Sequence, residues 1–166
     1  MAAWVGGGLA TDGCAPIHDA ISELAKVGAP TRPWMTAGMI AFGVGVPLFA
    51  TGLRQAVDGP AWIAAVAAGA GSLAVAAVPL QPDRDVPAHA VAAAGAYVAL
   101  ALVPLLAARS LPGRWRPVSL ATGAAAAACL AATAAGPAHG LFQRLGLTLV
   151  DAWLVALALR LRSLSR

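Results

Sequence analysis

Three residues in the last apolar run of the chain have the types and spacing needed for acid–base chemistry. Arg144, Thr148 and Asp151 stand at positions i, i+4 and i+7. With about 100° of rotation per residue, an α-helix brings Asp151 back within about 20° of Arg144, so one face carries base, hydroxyl and acid. If this run spans a membrane, Asp151 lies about 10 Å deeper than Arg144. An intramembrane carboxyl is costly unless it is paired, so we expect Asp151 to face the interior of a helix bundle.

Residues 12–33 contain a second group of polar side chains. After Pro16 the apolar residues recur at helical spacing, which predicts a short amphipathic helix that lies in the membrane interface with its apolar face down. One interpretation points Ser22 and Glu23 inward as part of a site. The alternative is that this helix only plugs the end of the bundle, with Glu23 and Lys26 as an ordinary surface pair.

Residues 80–89 form a third polar segment, in which Asp83 and Asp85 flank Arg84 and His89 begins the next apolar run. A neutral imidazole at the start of a helix can act as a base or as a hydrogen-bond partner. The alternative is that His89 is simply an interfacial residue beside a helix cap.

These segments together define the candidate site. Asp151 is the expected general acid, Arg144 the group that steadies it, and His89 or Glu23 the group that takes a proton back. The candidate substrate-binding residues are Ser22, Asp83, His139, Thr148 and Trp153. The alternative for Asp151 is a single structural hydrogen bond or ion pair between two helices.

Other kinds of chemistry lack a signal in the sequence. The three histidines lie on three separate segments without metal-ligand spacing, so we predict no metal site and no cofactor. No phosphate-binding loop, nucleophile elbow or nucleic-acid motif is present. Cys14 and Cys129 are expected to be unpaired thiols.

The elements that must position these residues are membrane-spanning helices. Of the 166 residues 60% are apolar and 11% charged, whereas globular domains are nearer 45–50% apolar and about 25% charged. This composition excludes an ordinary soluble enzyme, a disordered chain and a disulfide-rich secreted module.

Five apolar runs approach the roughly 20 residues that cross a bilayer, and they lie at residues 34–53, 61–79, 90–108, 118–136 and 141–159. Residues 1–11 are apolar but shorter, which indicates a sixth helix that is short or truncated, with a true start that could lie upstream.

The arginines predict the orientation of this bundle. One set of connections, 54–60, 109–117 and the tail after Leu159, is strongly basic and contains a single acid, Asp58. Its bases are Arg54, Arg109, Arg114, Arg116, Arg160, Arg162 and Arg166. The positive-inside rule then places this set and both termini in the cytoplasm, and the candidate site at the outer face of the plasma membrane. We expect one integral-membrane domain over residues 1–166.

Three stretches also resemble a family of small bacterial membrane proteins known as domain of unknown function 998. They are ISELAKVGAPTRPWMTAG, PLQPDRDVPAHA and GLFQRLGLTLVDAW. The matching elements are the Ser22-Glu23-Leu24 step, the Pro82-Asp83 turn with His89, and Gly140 followed by Gln143-Arg144. The resemblance covers the chain from Ile21 onward and implies a six-helix bundle with an outer polar cluster, without an agreed activity. The short N-terminus departs from the full first helix that is usual in the family.

Three functions remain open at this point. The first is an intramembrane enzyme that acts on a lipid or isoprenoid by proton-initiated isomerisation or cyclisation, with an analogy in size and composition to actinobacterial membrane terpene cyclases. The second is a small-molecule or proton-coupled transporter, and the third is an assembly subunit without catalytic activity. The expected partners are membrane lipid and a lipid or isoprenoid small molecule, and not nucleic acid. The sequence leaves the oligomeric state open.

Overall fold

The computed structural model describes residues 2–9 and 15–164, which form α-helices joined by turns. The elements are α1 (Ala2–Leu9), a 3-10 helix (Ile21–Ala25), α2 (Arg32–Ala56), α3 (Ala61–Ala77), α4 (Pro87–Ala107), α5 (Trp115–Ala135) and α6 (His139–Leu164). Within the described residues the one extended pairing is an isolated bridge between Gln81 and Arg84. The predicted all-α bundle of six helices, with a short helix after the first, is confirmed.

Four of these helices, α2, α4, α5 and α6, are long and apolar enough to cross a membrane. The fifth, α3, is apolar over 17 residues, which corresponds to a rise of about 26 Å. The described part of the first, α1, has eight residues and a rise of about 12 Å, which is less than the thickness of a hydrocarbon core of about 30 Å. The chain is therefore a multi-pass membrane protein in which α1 is the predicted short helix.

The helix boundaries follow local sequence signals. A proline stands in the first turn of both α2 and α4, where its missing N–H leaves no helical bond unmade. Gly59 and Gly113, which have φ angles of 97° and 59°, turn the chain between helices. The longest helix, α6, continues beyond the apolar run as far as Leu164.

Small residues bring neighbouring helices into close contact. Gly43 on α2 faces Gly69 on α3, and a Cβ added to Gly43 would lie 2.6 Å from Cγ of Leu73. A Cβ added to Gly71 on α3 would lie 2.7 Å from that of Ala96 on α4. Close approach of this kind is how helices associate in lipid, where no hydrophobic force draws them together. It brings α2, α3 and α4 side by side in chain order, and α5 packs on α4 and α6 mainly on α5.

The two ends of the bundle differ in composition. We call the end with residues 15–31, 78–86 and 136–138 the capped end, and the end with residues 57–60, 108–114 and 160–163 the arginine-rich end. The half of the bundle nearest the arginine-rich end holds a tightly packed apolar core, with Leu53, Val103, Ala107 and Leu157 all 0% exposed.

The segment at the capped end is shorter and more deeply packed than the interfacial helix expected after Pro16. Only residues Ile21–Ala25 are helical, in one short 3-10 helix. Its apolar residues Ile21, Leu24 and Ala25 pack against Met35 of α2, so they are buried against protein. Backbone hydrogen bonds from Val27 to Leu80 (2.9 Å) and from Leu141 to Ile17 (3.0 Å) tie this segment to the connection 78–86 and to the first turn of α6. The His18 ring bonds the carbonyl oxygen of Pro137 at 2.9 Å and so reaches the third connection. Together they cover the capped end of the helices.

Candidate functional site

A cavity of about 570 Å³ opens between α2, α3, α4 and α6 beneath the 3-10 helix. Its walls are mainly alanine, glycine, methionine, leucine and aromatic side chains. Five more polar residues also line it, namely Ser22, Ser72, His89, Tyr97 and Asp151. Alanines on α2, α3 and α4 create this space because they leave the volume of larger side chains empty. A cavity of this size and polarity fits an apolar small molecule.

His89 lines the cavity and has a fixed ring orientation. Its side chain is 4% exposed, and its Nδ1 lies 2.7 Å from the carbonyl oxygen of Val78. Because a carbonyl only accepts hydrogen bonds, Nδ1 carries a hydrogen and donates it. In the neutral ring Nε2 is then the acceptor, and this buried atom has no hydrogen-bond partner among the described residues. The Nε2 acceptor of His89 is therefore left unused by the described residues.

Tyr97 and Gln143 form a second polar feature of the cavity, and sequence reasoning did not select either residue for the site. The Gln143 amide oxygen accepts a hydrogen bond from the backbone N–H of Ile21 at 2.6 Å, and its Nε2 donates to the Tyr97 hydroxyl at 2.7 Å. These two bonds fix the orientation of the Gln143 amide. The Tyr97 oxygen therefore accepts a hydrogen bond from Gln143, and the hydroxyl hydrogen of Tyr97 remains available to another acceptor. Gln143 thus links the 3-10 helix to the wall of the cavity.

Asp151 also lines the cavity, on the side of α6. Ser72 lies in the opposite wall, where its hydroxyl donates to the carbonyl oxygen of Met39 at 2.9 Å and so joins α3 to α2. The carboxyl group of Asp151 is the one acidic side chain in the described lining. A proton donor or acceptor inside an apolar space is the arrangement that acid–base chemistry on an apolar substrate requires.

The acid and the imidazole lie toward opposite ends of this cavity. Both α4 and α6 begin at the capped end, and the hydrogen bond between Tyr97 and Gln143 aligns them. His89 precedes Tyr97 by eight residues and Asp151 follows Gln143 by eight, and each interval is a rise of about 12 Å. His89 is therefore near the capped end and Asp151 nearer the middle of the bundle, so the two groups lie at different depths along its axis.

Arg144 holds the capped end onto α6. Its Nη1 donates to the carbonyl oxygens of Pro16 and Asp19, both at 2.7 Å, and of Gly140 at 3.0 Å. The guanidinium also lies over the ring of Trp4 at 5.9 Å, and the residue is 8% exposed. A Cβ on Gly140 would collide with the same two loop carbonyls, so glycine is required for this approach. The arginine and Asp151 share a helix face, but Arg144 binds the loop.

The remaining predicted site residues lie away from the described lining of the cavity. Glu23 pairs with Lys26 at 3.1 Å, with both side chains 44% exposed. Asp83 is exposed, while His139 and Thr148 are half-buried on α6. Trp153 is buried between α6 and α5, where its Nε1 donates to the hydroxyl of Ser119 at 2.9 Å. The cavity thus brings together Asp151, His89 and Ser22 from the predicted set.

Residues 2–9 and 15–164 contain no group of three or more histidine, cysteine or acidic side chains that could hold a metal ion. Cys129 is a free thiol on α5, and Cys14 lies outside the described residues.

The fold defines a small polytopic membrane protein whose helices surround a mainly apolar cavity. The family model described as "Protein of unknown function (DUF998)" matches residues 1–160, and the chain belongs to this family. A search of curated proteins finds no match. A search of solved structures likewise finds none. The family resemblance inferred from the three sequence stretches is confirmed.

Proposed function

We propose that this protein is an intramembrane enzyme that binds a lipid or isoprenoid in the cavity and uses Asp151 as a general acid. The observation that carries the proposal is the 570 Å³ cavity, whose mainly apolar wall includes one carboxyl group. An apolar substrate would enter such a space from the bilayer, and the surrounding helices would keep bulk water from reactive intermediates. The reaction class that suits these groups is proton-initiated isomerisation or cyclisation.

In this reaction Asp151 gives its proton to a carbon–carbon double bond or to an epoxide oxygen of the bound isoprenoid. The π electrons of the double bond form the new C–H bond, or those of a neighbouring double bond open the epoxide and form a C–C bond. Either route leaves a carbocation. Loss of a proton from a carbon beside the cation forms a double bond, so one proton enters the substrate, one leaves it, and the product is an isomer.

His89 is the proposed acceptor of the departing proton, because this residue lines the cavity and its Nε2 is an acceptor that the described residues leave unused. Because His89 and Asp151 lie at different depths, the proposal implies an elongated substrate that meets the acid at one end and the imidazole at the other. The proton returns to Asp151 through water after the product leaves. Arg144 acts as a positioning residue, since it holds residues 16–19 over the site.

The packed core favours an enzyme over a transporter. A transporter needs a path to both faces of the membrane. Below the cavity, the half of the bundle nearest the arginine-rich end is filled by buried apolar side chains such as Leu53, Val103 and Leu157. The proposal of an assembly subunit, in which Arg144 and Asp151 join two helices, has less support because Arg144 binds loop carbonyls.

The test compares lipid extracts of a strain that lacks the gene, complemented with wild-type or variant protein. We expect Asp151→Asn to accumulate the substrate and lose the product while its membrane expression is normal. His89→Asn, which can still donate to the Val78 carbonyl but lacks Nε2, is expected to reduce product formation. Asp58→Asn, which alters an exposed acid at the arginine-rich end, is the control. Full activity of Asp151→Asn would refute the proposed acid role.

We also propose that the capped end lies outside the plasma membrane and that both termini are cytoplasmic, as the distribution of arginines predicts. Both Asp83 and Arg109 are exposed, at opposite ends of the bundle. In a background without Cys14 and Cys129, an impermeant maleimide added to intact cells is expected to label Asp83→Cys and not Arg109→Cys. The reverse pattern would invert the topology.

A further inference from the structure

A second pocket lies at the arginine-rich end, where the connection between α4 and α5 meets the last turn of α6. It has a volume of about 630 Å³ and is lined by Pro112, Gly113, Arg114, Trp115, Arg160 and Ser163. This pocket is separate from the cavity that contains Asp151, and the reaction proposed above does not use it.

Arg160 is the central residue of this pocket. Its guanidinium carbon lies 5.0 Å from the centre of the Trp115 ring, so the side chain is held in place by a cation–π contact. Its Nη1 is buried and has no hydrogen-bond partner among the described residues. A buried donor of a charged group that lacks an acceptor is costly. The Arg160 guanidinium therefore retains donor capacity that the described residues leave unused.

The electrostatics of the pocket favour an anion. Its described lining contains two arginines, Arg114 and Arg160, and no acidic residue. The helix α5 begins at Trp115, so the N–H groups of its first turn and the positive end of its dipole lie at this pocket. An anion here would meet two guanidinium groups, and arginine binds phosphate oxygens with especially favourable geometry.

The position of the pocket indicates the source of the phosphate. Both α5 and α6 are long and apolar enough to cross the membrane, so their ends lie at the depth of the lipid headgroups. The side chains beside the pocket that point away from the bundle, Val118 on α5 and Leu159 on α6, are 48% and 62% exposed. A lipid could lay its acyl chains along these residues while its phosphate enters the pocket.

We propose that Arg114 and Arg160 form a binding site for the phosphate group of an anionic phospholipid. The predicted orientation places the site at the cytoplasmic leaflet, where anionic lipids attract basic residues. The proposal does not depend on the proposed enzymatic activity, because it involves a different pocket at the other end of the bundle.

The experiment measures lipid binding to the full-length protein in a neutral detergent by native mass spectrometry. The probe is phosphatidylglycerol, with uncharged diacylglycerol as the lipid that lacks phosphate. We expect Arg160→Gln and Arg114→Gln each to weaken phosphatidylglycerol binding about fivefold and to leave diacylglycerol binding unchanged. The matched control is Arg54→Gln, because Arg54 also stacks on a tryptophan at this end, Trp62 at 4.9 Å, but lies outside the pocket.

Each outcome decides the proposal. Equal losses in Arg54→Gln and Arg160→Gln would indicate a diffuse basic surface and overturn it. Inorganic phosphate that displaces the lipid at equal concentration would assign the pocket to a free anion and also overturn the lipid assignment. Arg114 is exposed, so Arg114→Gln is expected to fold normally, and unchanged binding by this folded variant would refute the site even if Arg160→Gln were unstable.

Discussion

The two halves of the bundle are built from the same alanine-rich helices but are packed in opposite ways. Toward the arginine-rich end, leucine and valine side chains from α2, α4 and α6 fill the interior. Toward the capped end, small residues on the same helices leave a cavity of about 570 Å³. The cavity therefore lies where small side chains leave space between the helices, and the packed half lies where leucine and valine fill it.

The arginines at the two ends of the bundle also differ in what they contact. Arg144 is buried at the capped end and uses its hydrogen bonds to hold a loop against α6. At the other end, Arg54 and Arg160 stack on tryptophan rings beside the membrane interface. Arg144 thus maintains the structure that covers the cavity, whereas Arg54 and Arg160 pack against aromatic rings.

The largest expected loss of stability comes from shortening a buried side chain in the packed half. Leu157→Ala deletes a side chain that is 0% exposed and should lower the free energy of unfolding by about 3–4 kcal/mol. Leu100→Ala deletes a side chain that is 3% exposed but borders the cavity, so fewer contacts are lost and the cost should be about half as large. Unfolding by dodecyl sulfate in mixed micelles measures both. Equal losses of stability in Leu157→Ala and Leu100→Ala would contradict the difference in packing between the two halves.

Replacing Arg144, which holds the capped end, should cause the next largest loss of stability. Arg144→Gln takes away hydrogen bonds from the carbonyl oxygens of Pro16 and Asp19, and hydrogen bonds to charged groups contribute about 1.5–3 kcal/mol each. We expect a loss of about 2–3 kcal/mol, since glutamine can replace part of one bond. Faster proteolysis within residues 15–20 of Arg144→Gln would show that the capped end has loosened. Unchanged protection of this segment would contradict the proposed role of Arg144.

The close contact at Gly140 predicts a smaller loss of stability when this glycine is replaced. Gly140→Ala places a Cβ against the carbonyl oxygens of Pro16 and Asp19, and overpacking of this kind costs about 1–3 kcal/mol. Gly95→Ala is the matched control on α4, because a Cβ there has no atom within 4 Å. Alanine favours helix, so the control should be neutral or stabilising by about 0.5–1 kcal/mol. A neutral Gly140→Ala would show that the loop does not need the glycine.

The spans could be predicted from the sequence because each apolar run is a local signal. The predicted run at residues 118–136 differs from α5 by three residues at its start and one at its end. The larger differences occur where a helix continues past its apolar residues. Arg160 and Arg162 extend α6 beyond residue 159, because arginine is a good helix former and its charge can remain in water.

The site could be predicted only in part, because its contacts join distant parts of the chain. Asp151 and His89 were selected as ionisable groups within or beside apolar runs, and both line the cavity. Tyr97 stands alone in an alanine-rich run, and its link to Gln143 joins residues 46 positions apart. The helical spacing of Arg144 and Asp151 was a sound local inference, but it could not show that a loop would bind Arg144.

The smallest effect on stability should accompany the largest effect on ligand binding. Ala93 lines the cavity from α4, and Ala94, its neighbour in the chain, is exposed on the outer face of the same turn. Ala93→Leu fills empty space without displacing a packed neighbour, so stability should change by less than about 1 kcal/mol. Ala94→Leu adds the same atoms toward lipid and is the matched control. We expect only Ala93→Leu to reduce the quenching of tryptophan fluorescence by a brominated lipid. The reduction is partial, because Trp34 in the cavity wall is 63% exposed and stays open to lipid outside the cavity. Equal quenching in both variants would show that the cavity does not admit lipid, because the two leucines differ only in the direction they face.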